Sequence, residues 1–236
     1  MAKFAVILAA AGRSERYGDR FTKKVFSLLA NRPMWMYSAE AFSKRDDVGQ
    51  IILVIAPEDR EVFADKFAAN AAMLGIQVVT GGAERADSVQ CGLKHVRDDL
   101  PFVAVHDAAR PCIATPWIDA VFAEARASGA AILGMPVHAT VKRVDQSSRI
   151  TETVPRRGLW LAQTPQVFRT ELLKDAYAQH PAASSTTDDA EVVEHTGHPV
   201  KVVPCSWLNI KITTKEDMKV AEMALKALPK ANPFPF

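Results

Sequence analysis

The sequence predicts an α/β fold: a mostly parallel, three-layered sheet with a protruding β-hairpin arm, in a single domain over residues 1–228. Three observations carry that reading. Continuous apolar runs of strand length recur at Phe4–Ala9 and at residues 50–56, 101–105 and 130–137, as strands buried on both faces do. Stretches with apolar residues at helical spacing separate them, and strands alternating with helices favour a parallel sheet covered on both sides. Between Thr140 and Val154 the apolar period changes to two, on either side of the polar turn Asp145-Gln146-Ser147-Ser148, which reads as a hairpin.

The first strand runs into Ala10-Ala11-Gly12-Arg13-Ser14-Glu15-Arg16, a small-residue turn that becomes a basic loop. Small side chains let a ligand approach the backbone, and Gly12 tolerates unusual backbone angles. Residues 13–24 hold Arg13, Arg16, Arg20, Lys23 and Lys24 against Glu15 and Asp19. Backbone amides and several cations delivered to one place suggest a polyphosphate site; the alternative is a plain turn with a solvated charged face.

Pro33 suits a helix start, and Met34, Tyr37, Ala41 and Phe42 follow at helical spacing. Residues 58–70 read as a helix with Val62, Phe63 and Phe67 on one face, and Ile76–Thr80 as a strand. Next comes the turn Gly81-Gly82-Ala83-Glu84, with Arg85 and Ser88 on one face of a new helix. Helix-start amides with Arg85 favour an anion or a base edge; the alternative is a plain turn with a surface cation.

The strand at 101–105 ends in His106-Asp107-Ala108-Ala109-Arg110-Pro111. An acid at the carboxyl end of such a strand lies where open α/β sheets bind ligands. Asp107 there serves a ribose hydroxyl, a magnesium ion or its water, or else pairs with Arg110 to tie down the loop. A helix from Thr115, the arm at 138–163, the helix Thr170–Gln179 and a short helix at 188–195 follow. Strands at 200–203 and 208–212 and a last helix capped by Thr213 and Glu216 complete the domain, and 229–236 reads as a loose tail. The exposed apolar residues of the arm, with Trp160, call for cover by a partner subunit.

The chain has 236 residues, enough for one large core. Its net charge of +2 argues against a general nucleic-acid binder, and the local concentration of cations suits a small anionic ligand. No apolar run approaches the ~20 residues of a membrane helix. The start lacks a signal-peptide layout, and Cys91, Cys112 and Cys205 are odd in number and widely spaced, as reduced thiols in the cytoplasm are.

Taken in order, Leu8-Ala9-Ala10-Ala11-Gly12 with Arg16, Lys23, Gly81-Gly82 with Arg85, Ser88 and Val89, and His106-Asp107-Ala108-Ala109-Arg110-Pro111 form a series. Thr164-Pro165-Gln166 with Phe168, and Asn209-Ile210-Lys211-Ile212-Thr213, extend it. In order and spacing the series resembles the 2-C-methyl-D-erythritol 4-phosphate cytidylyltransferase family over about residues 3–228. The resemblance implies a Rossmann-like nucleotidyltransferase fold. It implies transfer of CMP from CTP to methylerythritol phosphate with release of pyrophosphate. It also implies Mg2+ held mainly by the CTP phosphates, with no metal-ligating residue assigned, and a homodimer built through the arm.

The resemblance assigns roles residue by residue. Arg16, Lys23, Arg156 and Lys211 are the catalytic cations. Ala10, Ala11, Gly12, Arg13 and Ser14 cradle CTP; Gly82, Ala83, Arg85 and Ser88 frame the cytosine; Asp107 and Ala108 hold the ribose side. Asp107, Arg110, Thr140, Arg156, Thr164 and Lys211 bind the alcohol phosphate, with Thr140 and Arg156 serving the neighbouring subunit. Four residues depart from the family pattern: Ser14 replaces a second glycine and Thr22 a proline, while Lys24 begins a changed run and Leu208 replaces a frequent acid. A cytidylyltransferase for another polyol phosphate, such as ribitol 5-phosphate, is the alternative, and a non-catalytic nucleotide-binding protein the more remote one.

Overall fold

The computed structural model describes residues 3–12, 23–180 and 186–230. Its elements are β1 (Phe4–Ala9), β2 (Leu28–Leu29), β3 (Arg32–Pro33), α1 (Met34–Ser43), β4 (Val48–Ile55), α2 (Arg60–Met73), β5 (Ile76–Thr80) and α3 (Arg85–Leu93). Then come β6 (Phe102–Asp107), α4 (Thr115–Ser128), β7 (Ala130–Pro136), β8 (Val141–Val144), β9 (Ile150–Val154) and β10 (Trp160–Arg169). The chain ends with α5 (Thr170–Gln179), α6 (Asp189–Glu194), β11 (Lys201–Pro204) and α7 (Lys215–Ala227).

Seven strands form one sheet in the order β11-β7-β10-β6-β1-β4-β5. The fold class read from the sequence is observed, with one reversal: β10 runs antiparallel to both β6 and β7. The chain order changes direction around β1, which lies between β4 and β6. The crevice beyond the carboxyl ends of those strands is the place where a ligand meets such a sheet. There Ala9 is in register with Asp107.

The pleat divides β1 between two apolar layers, as period-two side chains must. Phe4, Val6 and Leu8 pack with Trp35, Phe42 and Phe122 on one face. Ala5 and Ile7 pack with Val89, Phe168 and Tyr177 on the other. Phe122 stacks on Phe4 with ring centroids 3.8 Å apart, and both are fully buried. Phe122→Ala is expected to cost about 3–5 kcal/mol, read as a lower urea midpoint with an unchanged slope.

Some sequence expectations are corrected. Val62 is 46% exposed while Phe63 is buried, so α2 turns Val62 outward. Residues 208–212 form no strand: Ile212 N–H donates to the Ala109 carbonyl at 2.8 Å, and the Asn209 carbonyl accepts from Arg110 Nη1 at 2.8 Å. Their backbone groups are satisfied by the loop after β6, which removes the need for a ladder partner. The last helix is capped one residue later than expected, by Thr214 and Asp217. The two-residue pair β2–β3, turned through Ala30 and Asn31 at positive φ, is too short to leave a periodic signal.

The arm stands where expected. β8 and β9 form their own two-stranded sheet, with Val144 at 53% and Ile150 at 63% exposure. Its roots are β7 and β10, which continue outward with Leu161 opposite Met135 and Trp160 opposite Pro136.

Candidate active site

A cleft of about 570 Å³ opens at the carboxyl ends of β1 and β6, and Ala10, Ala11, Gly12, Lys24, Arg85, Asp107 and Lys211 are among the residues on its wall. Asp107 is its electrostatic centre. One carboxylate oxygen lies 2.7 Å from Lys211 Nζ and 3.9 Å from Arg110 Nε, and the other 3.3 Å from Arg85 Nε. Burial alone favours the neutral acid, but Arg85, Lys211 and Arg110 outweigh it and hold the carboxyl well below the usual carboxylate range. Asp107 is therefore an anion that gathers three cations.

Arg85 bridges two carboxylates. Its Nη2 donates at 2.8 Å to Asp189, which is fully buried and also accepts from the Tyr177 hydroxyl at 2.6 Å. Burial opposes the charged guanidinium, yet Asp189 and Asp107 raise its pKa overall. Gln166 Oε1 accepts the first amides of α6, from Asp189 and Ala190, each at 3.0 Å, and so fixes the carboxylate behind Arg85. Burial chiefly raises the Tyr177 hydroxyl as well, so it stays a donor. Sequence reasoning missed Asp189, Tyr177 and Gln166 as supports, because they lie far along the chain from Arg85 and share no spacing with it.

The paired glycines pack closely against α3. A Cβ on Gly81 would lie 2.5 Å from Ser88 Oγ, and one on Gly82 2.5 Å from Asp87 Cβ. They let the loop close against α3, and Ser88 Oγ, only 2% exposed, donates to the Glu84 carbonyl at 3.0 Å. Some of the expected amide donors are likewise engaged. Ala10 N–H donates to the Val54 carbonyl at 2.8 Å and Ala108 N–H to the Ala9 carbonyl at 3.0 Å. Ala109, next to the buried Ala108, reaches the cleft wall.

Other expected residues stand apart from the cleft. Lys23 Nζ lies 2.7 Å from Asp59 and 3.0 Å from Glu58, while Lys24 and Val25 line the wall. Thr164 is 4% exposed, and its hydroxyl oxygen accepts Asp107 N–H at 3.0 Å. Thr140 and Arg156 lie on the exposed arm, where Arg156 Nη1 donates to the His138 carbonyl. Arg13, Ser14, Arg16 and Thr22 lie outside the described residues.

His106 is buried beside the centre, next to Asp107 in the chain and with its ring nitrogens on the Arg110 carbonyl and the Thr164 hydroxyl, and burial chiefly lowers its pKa from 6.5 to about 4. The unfolded chain binds this proton below about pH 6.5 and the native protein only below about pH 4. Stability is thus expected to fall as pH drops from 6.5 toward 4, by about 3 kcal/mol from this residue. Urea titrations at pH 7.5 and 5 on wild type and His106→Phe measure it, and a wild-type slope that persists in the variant contradicts it.

A sequence model of the family described as IspD, 2-C-methyl-D-erythritol 4-phosphate cytidylyltransferase, matches residues 4–227. The chain belongs to that family. It is similar to the 2-C-methyl-D-erythritol 4-phosphate cytidylyltransferase of Rhodopirellula baltica, at 39% identity over 235 residues and 95% of each chain. The protein of that name from Endomicrobium trichonymphae is 41% identical over 225 residues, 95% of this chain and all of the relative. The fold matches the crystal structure of the Thermus thermophilus cytidylyltransferase with a TM-score of 0.78 at 30% identity, covering 96% of this chain and 100% of that one. Within the cytidylyltransferase family, Arg85, Asp107, Arg110 and Lys211 are the expected residues that this fold brings into one cluster.

Among the described residues, no group of three His, Cys, Asp or Glu side chains is spaced to hold a metal ion. Among the described residues, Asp107 and Glu84 are the carboxylates on the cleft wall. Carboxylate oxygens are the donor type that Mg2+ takes. No described helix is long and apolar enough to cross a membrane. The three cysteines are free thiols; burial pushes Cys112 up to about 12 and, as the chief cause, Cys205 up to about 11.

Proposed function

We propose that the Asp107 cluster and the small-residue turn after β1 carry out the activity of this cytidylyltransferase family member: transfer of CMP from CTP to 2-C-methyl-D-erythritol 4-phosphate, with release of pyrophosphate. The observation that carries the reading is one carboxylate at the end of β6 holding Lys211, Arg85 and Arg110 beside the turn that follows β1. The attacking phosphate is already a nucleophile at neutral pH, so the obstacle is charge: two anions must meet, and more charge builds on the α-phosphate and the leaving pyrophosphate.

Lys211, 40% exposed, is the cation of the cluster most open to solvent and aims the substrate phosphate. Arg110, anchored through Nη1, gives that phosphate a second contact. Arg85, braced by Asp189, frames the cytosine edge with Ala83. Arg16 and Lys23 neutralise the triphosphate, and Lys23 leaves Asp59 to do so. When bound, Mg2+ supplies further neutralisation of the phosphate oxygens. Thr140 and Arg156 complete the site of a second copy in a cytoplasmic homodimer; support for this comes from the exposed apolar arm.

The test is pyrophosphate release with CTP, magnesium and methylerythritol 4-phosphate, run beside ribitol 5-phosphate. Release with the first alone is expected; release with ribitol phosphate alone moves the substrate assignment, and release with neither removes it. Separate Lys23→Ala and Arg156→Ala proteins are each expected to be nearly inactive. Co-refolded hybrids are expected to regain part of the activity, as one site in each then has both groups. Hybrids that form without any regain contradict the shared site.

A further inference from the structure

We infer that His106 is a positioning residue for this reaction, bonding the Arg110 backbone through one ring nitrogen and the Thr164–Asp107 contact through the other; its kinetic part rests on the cytidylyltransferase reading above. The imidazole is fully buried on β6 and meets Phe42 edge-on, with ring centroids 5.4 Å apart. Neighbouring positions on β6 alternate, Phe102 and Ala104 facing one apolar layer and Val103 and Val105 the other. His106 thus lies on the opposite face of the sheet from the Asp107 carboxylate, and acts on the cleft from behind.

Donor and acceptor counting fixes its protons. Nε2 lies 3.1 Å from the Arg110 carbonyl, which only accepts, so Nε2 carries hydrogen. In the neutral ring Nδ1 is then an acceptor, and the Thr164 hydroxyl, 3.1 Å away, donates to it. The same hydroxyl oxygen accepts Asp107 N–H at 3.0 Å. The Arg110 carbonyl takes its second hydrogen bond from Ser38 Oγ at 3.2 Å. The result is a directed chain: Asp107 N–H to Thr164, Thr164 to the ring, and the ring to Arg110. With its hydrogen on Nδ1 instead, the neutral ring would set the bare Nε2 against the Arg110 carbonyl, one acceptor facing another.

Both ends of this chain carry site residues. The Asp107 carboxylate holds Lys211 at 2.7 Å, and the Arg110 side chain reaches the Asn209 carbonyl at 2.8 Å, two residues before Lys211. One buried ring therefore sets the spacing between the strand end that bears the anion and the loop that bears the phosphate contact. A phenyl ring fills similar space but makes neither bond, and leaves buried polar groups unpaired.

Two conservative variants separate the two bonds. His106→Gln keeps an N–H near Nε2 for Arg110 but leaves Thr164 without its acceptor; His106→Asn keeps an acceptor near Nδ1 but cannot reach Arg110. For His106→Asn we expect KM for methylerythritol phosphate to rise about 10-fold with kcat within about 3-fold; for His106→Gln, kcat falls about 10-fold with that KM within about 3-fold. His106→Phe shows both losses. Thermal melts show that each variant is folded at the assay temperature. Kinetic constants within about 2-fold of wild type in folded His106→Phe overturn the proposal, as does one uniform loss in all variants that tracks their melting temperatures. Nitrogen NMR of the wild-type ring at pH 7.5 is independent of turnover: hydrogen on Nε2 alone is expected, and hydrogen on Nδ1 overturns the assignment. A wild type that is inactive with CTP and methylerythritol phosphate defeats the activity reading, while the NMR result still decides the positioning chain.

Discussion

Replacing Asp107 by asparagine is expected to lower kcat/KM on the order of 10²-fold and to destabilise the protein by about 3 kcal/mol. The substitution keeps the shape and removes the charge. Lys211, Arg85 and Arg110 then face one another without their shared anion, at sites 2.7, 3.3 and 3.9 Å from where it stood. Breaking a buried ion pair by removing one partner costs about 3–5 kcal/mol, and the lower figure applies because water takes up part of the charge of Lys211. The activity loss has a separate origin: cations without a common anchor drift on the ångström scale, and misplacement of that size is costly. A ligand test distinguishes this from simple loss of fold. Pyrophosphate is expected to raise the melting temperature of the variant more than that of wild type, because the freed cations bind it more tightly. Equal shifts contradict the account.

Lys23→Ala is expected to lower kcat by roughly 10²–10³, the scale for losing one preorganised electrostatic donor. The same substitution unpairs Asp59, a residue only 7% exposed, so stability falls too. Adding Asp59→Asn to Lys23→Ala removes that stranded charge. The double variant is expected to recover the melting temperature but not the turnover. Recovery of both contradicts a catalytic role for Lys23, and kcat near wild type in the single variant does so directly.

The sequence makes some of this legible for identifiable reasons. Strands β1, β4 and β6 are buried on both faces, so their apolar runs are continuous, and an acid at the end of such a run stands out. Asp107 and the small-residue turn are visible on that ground. Lys211 is recognisable through its motif, although the strand expected around it is a loop held by Ala109 and Arg110. The reversal of β10 is not legible, since apolar content carries no strand direction. Asp189 is hidden because its importance lies in a contact with Arg85, about a hundred positions earlier, and Tyr177 because it acts through Asp189. The packing of the glycine pair is not legible for a related reason: glycine signals close approach without naming what approaches, and the side of α3 is one such neighbour.

The placement of β7 beside β10 has a consequence for how this protein can change over time. The arm leaves the sheet at Pro136 and returns at Trp160, its register partner, and Val137 N–H is tied to the Leu159 carbonyl at 3.0 Å. Departure and return points are neighbours, so the excursion is a closed detour. Residues can be added to or removed from its tip at little entropic expense, because loop closure depends only weakly on length. The arm therefore hangs from the sheet that carries the cleft by a single two-strand seam, and a change in the length of its tip leaves the register of that sheet untouched.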